Sequence, residues 1–186
     1  MISERLKNEN DQYRRRLLLI GYLTEKLRPQ GVVPIVVGGH AVEIYTFQDY
    51  STQDIDLVVT HRELLGGLLE SCEFQRCPGA RHWVNEELGL AIEIPDNQLA
   101  GDMNRLLEVE VDEFSVFVIG VEDLIVDRLN AYVHWCSISD YEQALKVYLI
   151  HYDQINQEYL LQQVAKNGVV SGLERLNDDW RRITKK

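Results

Sequence analysis

At 186 residues, 45% hydrophobic and 26% charged, the chain has the composition of a folded protein of about one domain, long enough to bury a sizeable core. A net charge of −11 argues against a general phosphate-neutralising surface, though not against a small basic pocket or a metal-mediated contact. No apolar run reaches the length of a membrane span, and the polar start "MISERLKNEN" lacks the apolar core of a signal peptide, so the cytoplasm is the expected compartment.

In chain order, residues 3–28 carry apolar positions of which the later part has helical spacing, with Ser3 as the expected N-cap and Pro29 past the end. "VVPIVVGG" reads as a short buried strand that starts after Pro34 and stops at Gly38–Gly39. "HAVEIYTF" reads as a short helix, in which His40 is expected to face solvent. "DIDLVVT" is a second strand. Alternation puts Asp54, Asp56 and Val58 on one face, and Ile55, Leu57 and Val59 on the other. "HRELLGGLLESC" reads as a helix weakened by Gly66–Gly67, and "FQRC", "RHWVN", "LAIEIP" and "FSVFVIG" as short strands. From Val121 onward four segments carry helical periodicity, with Ser139, Asn156 and Gly168 as cap-type residues. The expected layout is an N-terminal helix (1–30), an α/β unit (31–120) and a helical C-terminal lobe (121–186). The sheet is expected to be mixed, mainly antiparallel and of four to six strands, with helices packed on one side.

The remaining polar and aromatic features read plainly. Cys72, Cys77 and Cys136 read as reduced thiols, because no second Cys/His pair completes a zinc-like spacing. The basic runs "RRR" at 14–16 and "RRITKK" at the end read as solvated faces and a tail. Trp83, Trp135 and Trp180 read as core or interface aromatics, and packing accounts for His134 and His151.

The chemistry concentrates in "VVGGHAVEIYTFQDYSTQDIDLVV". Carboxylates at i and i+2 of a strand share one face, with Cβ atoms roughly 7 Å apart. Left bare on a buried face they repel, so that one would have to stay protonated. A divalent cation between them removes the conflict, and Mg²⁺ typically takes one or two protein carboxylates with substrate phosphates and water. Two glycines where a strand turns into a helix let backbone N–H groups approach a phosphate. Either half alone is ordinary; together they are the minimal equipment for phosphoryl or nucleotidyl transfer.

In this order, the stretch resembles the signature of the nucleotidyltransferase superfamily, that of DNA polymerase β. Its Gly-Gly-x-Ala and Ser-Thr-x-Asp-Ile-Asp flavour is most similar to the bacterial AbiEii-type toxin nucleotidyltransferases and their relatives. The likeness is strongest over residues 35–60 and extends weakly through "VIGVEDLIVDRLNAYV". The resemblance implies an α+β fold, catalytic and metal-binding roles for Asp54 and Asp56, and a Mg²⁺ or Mn²⁺ cofactor. It also implies phosphate contacts from Gly38, Gly39, Thr52 and Arg128, the last standing where relatives carry a Lys. It implies a third carboxylate on a later strand as well. Glu93, between Ile92 and Ile94, is the candidate, with Asp96 in reserve; the alternative for Glu93 is a partner for a nearby Arg or Lys. Departures from the pattern are the fourteen residues between Gly39 and Asp54, Asp49 and Tyr50 where relatives often carry an Arg, and "HWCSISD" where a basic residue is usual. Fewer cations imply weaker stabilisation of a triphosphate.

The functions implied are three. One is a metal-dependent enzyme moving NMP from an NTP, ATP among them, to a hydroxyl, with a protein or small-molecule acceptor favoured over nucleic acid by the acidic charge. A second is a catalytically reduced protein that binds nucleotide or a partner. A third is a member of a toxin–antitoxin or phage-defence pair with a partner protein.

Overall fold

The computed structural model describes residues 2–76 and 81–185. Cys77, and with it the end of "FQRC", lies outside the described residues, as do Met1 and Lys186. The N-terminal segment forms two helices, α1 (Ile2–Asn8) and α2 (Gln12–Leu27). The break falls at Asp11, whose carboxylate accepts from the N–H groups of Tyr13 and Arg14 and so starts α2 afresh. Ser3 lies inside α1, not at its N-cap position as expected. Next come β1 (Ile35–Val36), α3 (Gly38–Tyr45), β2 (Asp54–Val58) and α4 (Arg62–Ser71). They are followed by β3 (Gln75–Arg76), β4 (His82–Asn85), β5 (Leu90–Glu93), β6 (Leu107–Val111) and β7 (Phe114–Val118).

These strands form one mixed sheet of order β3-β4-β5-β2-β1-β7-β6. Four of its pairings are antiparallel, while β1–β7 and β2–β5 are parallel. The sheet is therefore mixed and mainly antiparallel, with seven strands instead of four to six. The strand absent from the sequence reading is β6, "LEVEV", at the sheet edge. Leu107, Val109 and Val111 alternate with glutamates, but only Val111 is buried, and Glu108 and Glu110 suit an edge that must not pair further.

Register decides which residues face the core. Ile55 pairs with Ile92, which pairs with Trp83, and all three are buried. Asp54 and Asp56 occupy the opposite face of β2 and stay partly exposed. A one-residue slip would bury both carboxylates and expose Ile55 and Leu57, each worth roughly 1.5–3 kcal/mol on burial. Helices α2 and α4 cover the apolar face. A Cβ on Gly21 would lie 2.5 Å from the Phe114 Cβ, so α2 approaches β7 at a distance that only glycine permits there. A Cβ on Gly66 of α4 would lie 3.1 Å from the Trp83 ring, a tight contact that a small shift of the ring would relieve.

After β7 the chain is helical: α5 (Val121–Trp135), α6 (Ile138–His151), α7 (Gln157–Asn167) and α8 (Val170–Thr184). Ser137, not Ser139, caps α6; Asn156 caps α7 and Gly168, at φ +72°, ends it. Buried Glu122 joins α5 to its surroundings by accepting from Arg105 at 3.0 Å and from the Asn156 N–H at 2.8 Å. Trp83 is buried and Trp180 stacks on Tyr152, whereas Trp135 is exposed. Among the described residues no helix is long and apolar enough to cross a membrane. Cys72 and Cys136 are free thiols.

Candidate active site

The site is built on the polar face of β2 where it meets β5. In the parallel β2–β5 pair, Asp56 stands directly opposite Glu93, and Asp54 opposite Ala91. Parallel register makes Asp56 and Glu93 neighbours on one face, a relation that alternation within each strand predicts but only pairing can fix. Next to them lies a cavity of about 470 Å³, with Gly38, Gly39, Asp56, Arg81, Glu93 and Arg128 on its walls. Asp54 and Thr52 are not among its lining residues.

The Gly38–Gly39 turn touches Asp56 directly. The Gly39 N–H donates to Asp56 Oδ2 at 2.9 Å, and the His40 amide also favours the charged carboxylate. Asp56 thus caps α3 from a neighbouring strand, since Val37 offers no side-chain cap. Amides that would meet a phosphate are in this structure directed at the carboxylate. Burial pushes the Asp56 carboxyl up to about 6, the two amides oppose this, the Glu93 charge adds to it and the Arg128 charge opposes it. Glu93 has His82 of β4 across from it, with Nε2 3.5 Å from Oε2. His82 and Arg81 were not singled out in the sequence. Their place beside Glu93 comes from the β4–β5 hairpin, whose four-residue loop with Gly89 at φ +63° is the local signal that could have found them.

Arg128 lines the cavity with its charge already engaged by carboxylates, Asp127 on the same wall among them. It donates to Asp127, and Nη1 donates to Asp140 at 2.7 Å. Thr52 approaches from the other side of the turn, its Oγ1 3.5 Å from where a Gly39 Cβ would be. Asp96 accepts from the N–H groups of Asn97 and Gln98, which makes it a turn former on the cavity wall. His40 does not face solvent as expected: it is fully buried, and burial, with the Arg16 charge, lowers it to about 3. It packs beside Glu43, whose carboxylate is paired with Arg16.

Among the described residues no three His, Cys, Asp or Glu groups form a ready-made cation site. The residues nonetheless fit a divalent ion that shares its shell with substrate. Two acidic strand residues stand in register, and the cost of their proximity and burial shows in the raised Asp56 carboxyl.

No protein-family model matches the sequence, and the curated proteins include no match. Solved structures do match. An antigenic nucleotidyltransferase-like protein from Paracoccidioides brasiliensis aligns with a TM-score of 0.56 at 16% identity, over 92% of this chain and 93% of that one. The antibiotic-resistance factor ANT(2'')-Ia aligns with a TM-score of 0.55 at 14% identity, over 88% and 97%. The fold is nucleotidyltransferase-like.

Proposed function

We propose that the protein is a nucleotidyltransferase that moves NMP from a nucleoside triphosphate, ATP among them, to a hydroxyl acceptor. One observation carries this reading: Asp56 and Glu93 stand in register on adjacent parallel strands, beside a cavity whose rim is the Gly38–Gly39 turn. Asp56, with Asp54 from the same face of β2 and Glu93, would hold Mg²⁺ or Mn²⁺. The ion, when bound, supplies charge neutralisation on the phosphates. Glu93 orients the acceptor hydroxyl and takes its proton as the oxygen bonds to the α-phosphorus and the bond to pyrophosphate breaks. Arg81 and Arg128 offset phosphate charge from the cavity wall. A protein or small-molecule acceptor suits the −11 chain better than nucleic acid.

Incubation with each labelled NTP and Mg²⁺ or Mn²⁺, with and without cell extract, tests the reading. Label transferred to an acceptor by the wild type, and not by Asp56→Asn, is the expected result.

A second reading is favoured by two observations: the α3 amides are directed at Asp56, and Arg128 is tied to Asp127 and Asp140. In that reading the protein binds nucleotide or a partner without turnover, and the labelled assay gives retention without transfer. The AbiEii-type kinship, and with it a place in a toxin–antitoxin or phage-defence pair, is supported by the 35–60 motif.

A further inference from the structure

Three polar side chains lie buried behind the Gly38–Gly39 turn, and the chemistry proposed above uses none of them. Arg16 of α2 and His40 and Glu43 of α3 are 5%, 0% and 2% exposed. Arg16 Nη2 donates to both Glu43 oxygens, at 2.6 and 2.7 Å. His40 Nε2 stands 4.0 Å from Glu43 Oε2. Arg16 Nε and both His40 ring nitrogens have no hydrogen-bond partner among the described residues. A well-packed apolar pair is often as stabilising as a buried ion pair, so stability alone does not account for this one. An ion pair adds direction: it fixes the distance and orientation of one helix against another.

The pair anchors α3 at Glu43, one turn beyond Gly38–Gly39, and a further segment rests on the Gly38–Gly39 turn itself. Residues 50–52 cross that turn on their way to Asp54. The Tyr50 Oη and Thr52 Oγ1 lie 3.4 and 3.5 Å from where a Gly39 Cβ would be. The Tyr50 N–H donates to Thr46 Oγ1 at 3.3 Å, and that hydroxyl is itself bonded to the Val42 carbonyl of α3. The Thr52 backbone amide also favours the charged Glu43 carboxylate. Burial and contact therefore run from α2 through Arg16 and Glu43 to the lead-in of β2.

We infer that Arg16 and Glu43 are positioning residues, which set where Asp54 and Asp56 stand relative to the Gly38–Gly39 turn. The inference rests on the nucleotidyl-transfer reading for its functional meaning, and its structural half is measurable without it. The test compares wild type with the double variant Arg16→Met, Glu43→Leu, which replaces the pair by apolar groups, and with the single variants Glu43→Gln and Arg16→Lys. Backbone hydrogen exchange over 49–54 is read beside calorimetric titration with Mn²⁺ and ATP. In the folded double variant, exchange over 49–54 is expected to be at least tenfold faster while Ile55 and Leu57 stay protected. Affinity for Mn²⁺–ATP is expected to fall at least tenfold, with Arg16→Lys recovering part of both. Unchanged exchange and affinity in a folded double variant would overturn the inference. If the double variant does not fold, the same two readings on Glu43→Gln decide. A wild type that binds no nucleotide speaks against the nucleotidyl-transfer reading, and the exchange data alone then support or overturn the positioning role.

Discussion

A Cβ placed on Gly38 would stand 2.5 Å from Asp56 Oδ2 and 2.8 Å from its Cγ. Gly38 also holds φ +59°, where a side chain costs roughly 1–2 kcal/mol. A Cβ on Gly39 meets only Tyr50 and Thr52 at 3.4–3.6 Å, ordinary contact, and its position is helical. The two glycines are thus not equivalent. Gly38→Ala is expected to displace the Asp56 carboxylate, lower stability by about 1–2 kcal/mol and remove Mn²⁺–ATP binding. Gly39→Ala is expected to keep stability within about 1 kcal/mol and to keep the Gly39 N–H bond to Asp56. Urea unfolding and calorimetry on both variants check the contrast.

Asp56 and Glu93 separate by role. Asp56 is the half-buried carboxylate against the α3 amides, and Glu93 the one beside His82. Asp56→Asn is expected to lose metal–nucleotide binding. Glu93→Gln is expected to keep binding within a few-fold and to lose transfer by at least about 100-fold, the signature of an interaction made in the transition state. Single-turnover transfer and equilibrium binding, measured on the same preparations, distinguish the two. Equal loss of binding in both variants would merge the roles.

Fully buried His40 and half-buried Asp56 act on acid stability with opposite signs. His40, lowered to about 3 from 6.5, binds a proton only when unfolded between those values, so its contribution is lost as pH falls. Asp56, raised to about 6 from 3.8, binds a proton only when folded between those values, so its contribution grows as pH falls. Each slope is about 1.4 kcal/mol per pH unit, and between pH 4 and 6 they nearly cancel. Against wild type in chelator, Asp56→Asn is expected to lose stability more steeply on acidification over that range. His40→Leu is expected to lose it less steeply. Urea unfolding at pH 4, 5 and 6 reads the slopes, and other titrating groups are common to all three proteins.

The part of the site that a sequence can show is the part written in alternation. Asp54 and Asp56 fall opposite Ile55 and Leu57 because a strand has period two, and the structure keeps that division. Glu93 was legible for the same reason, between Ile92 and Ile94, but its place beside Asp56 belongs to a pairing of strands 37 residues apart. β6 was missed although Leu107, Val109 and Val111 alternate with Glu108 and Glu110: the run is five residues long, and its place in the sheet comes from pairing with β7. His40 was misread because a polar residue at a helix start usually faces water; here α2 delivers Arg16 into the same buried space. The break at Asp11 was missed because Ser3 and Pro29 bracket a single helix in the sequence, while the Asp11 carboxylate caps a second one within it.

Arg128 offers the last test, since it ties the helical segment to the site. It is mostly buried, bonded to Asp127 and Asp140, and it lines the cavity beside Asp56. Burial is what lifts the Asp56 carboxyl; the amides of Gly39 and His40 and the Arg128 charge hold it down. Removing that charge should therefore move Asp56 further up from about 6. Arg128→Ala also leaves Asp127 and Asp140 without their shared cation; Asp127 reaches water and Asp140 keeps Ser137, so the cost is about 1 kcal/mol. Lysine keeps the charge but cannot reach both carboxylates as a fork does, so Arg128→Lys is expected to restore the Asp56 titration more fully than the stability. Carboxyl carbon NMR of Asp56 between pH 4 and 8 in chelator follows the first effect, and thermal unfolding the second. In Arg128→Ala, Mn²⁺–ATP affinity should become more pH-dependent, rising toward pH 8 as the carboxylate ionises. An Asp56 titration identical in wild type and Arg128→Ala would show that the guanidinium's charge is spent on Asp127 and Asp140 and does not reach the site.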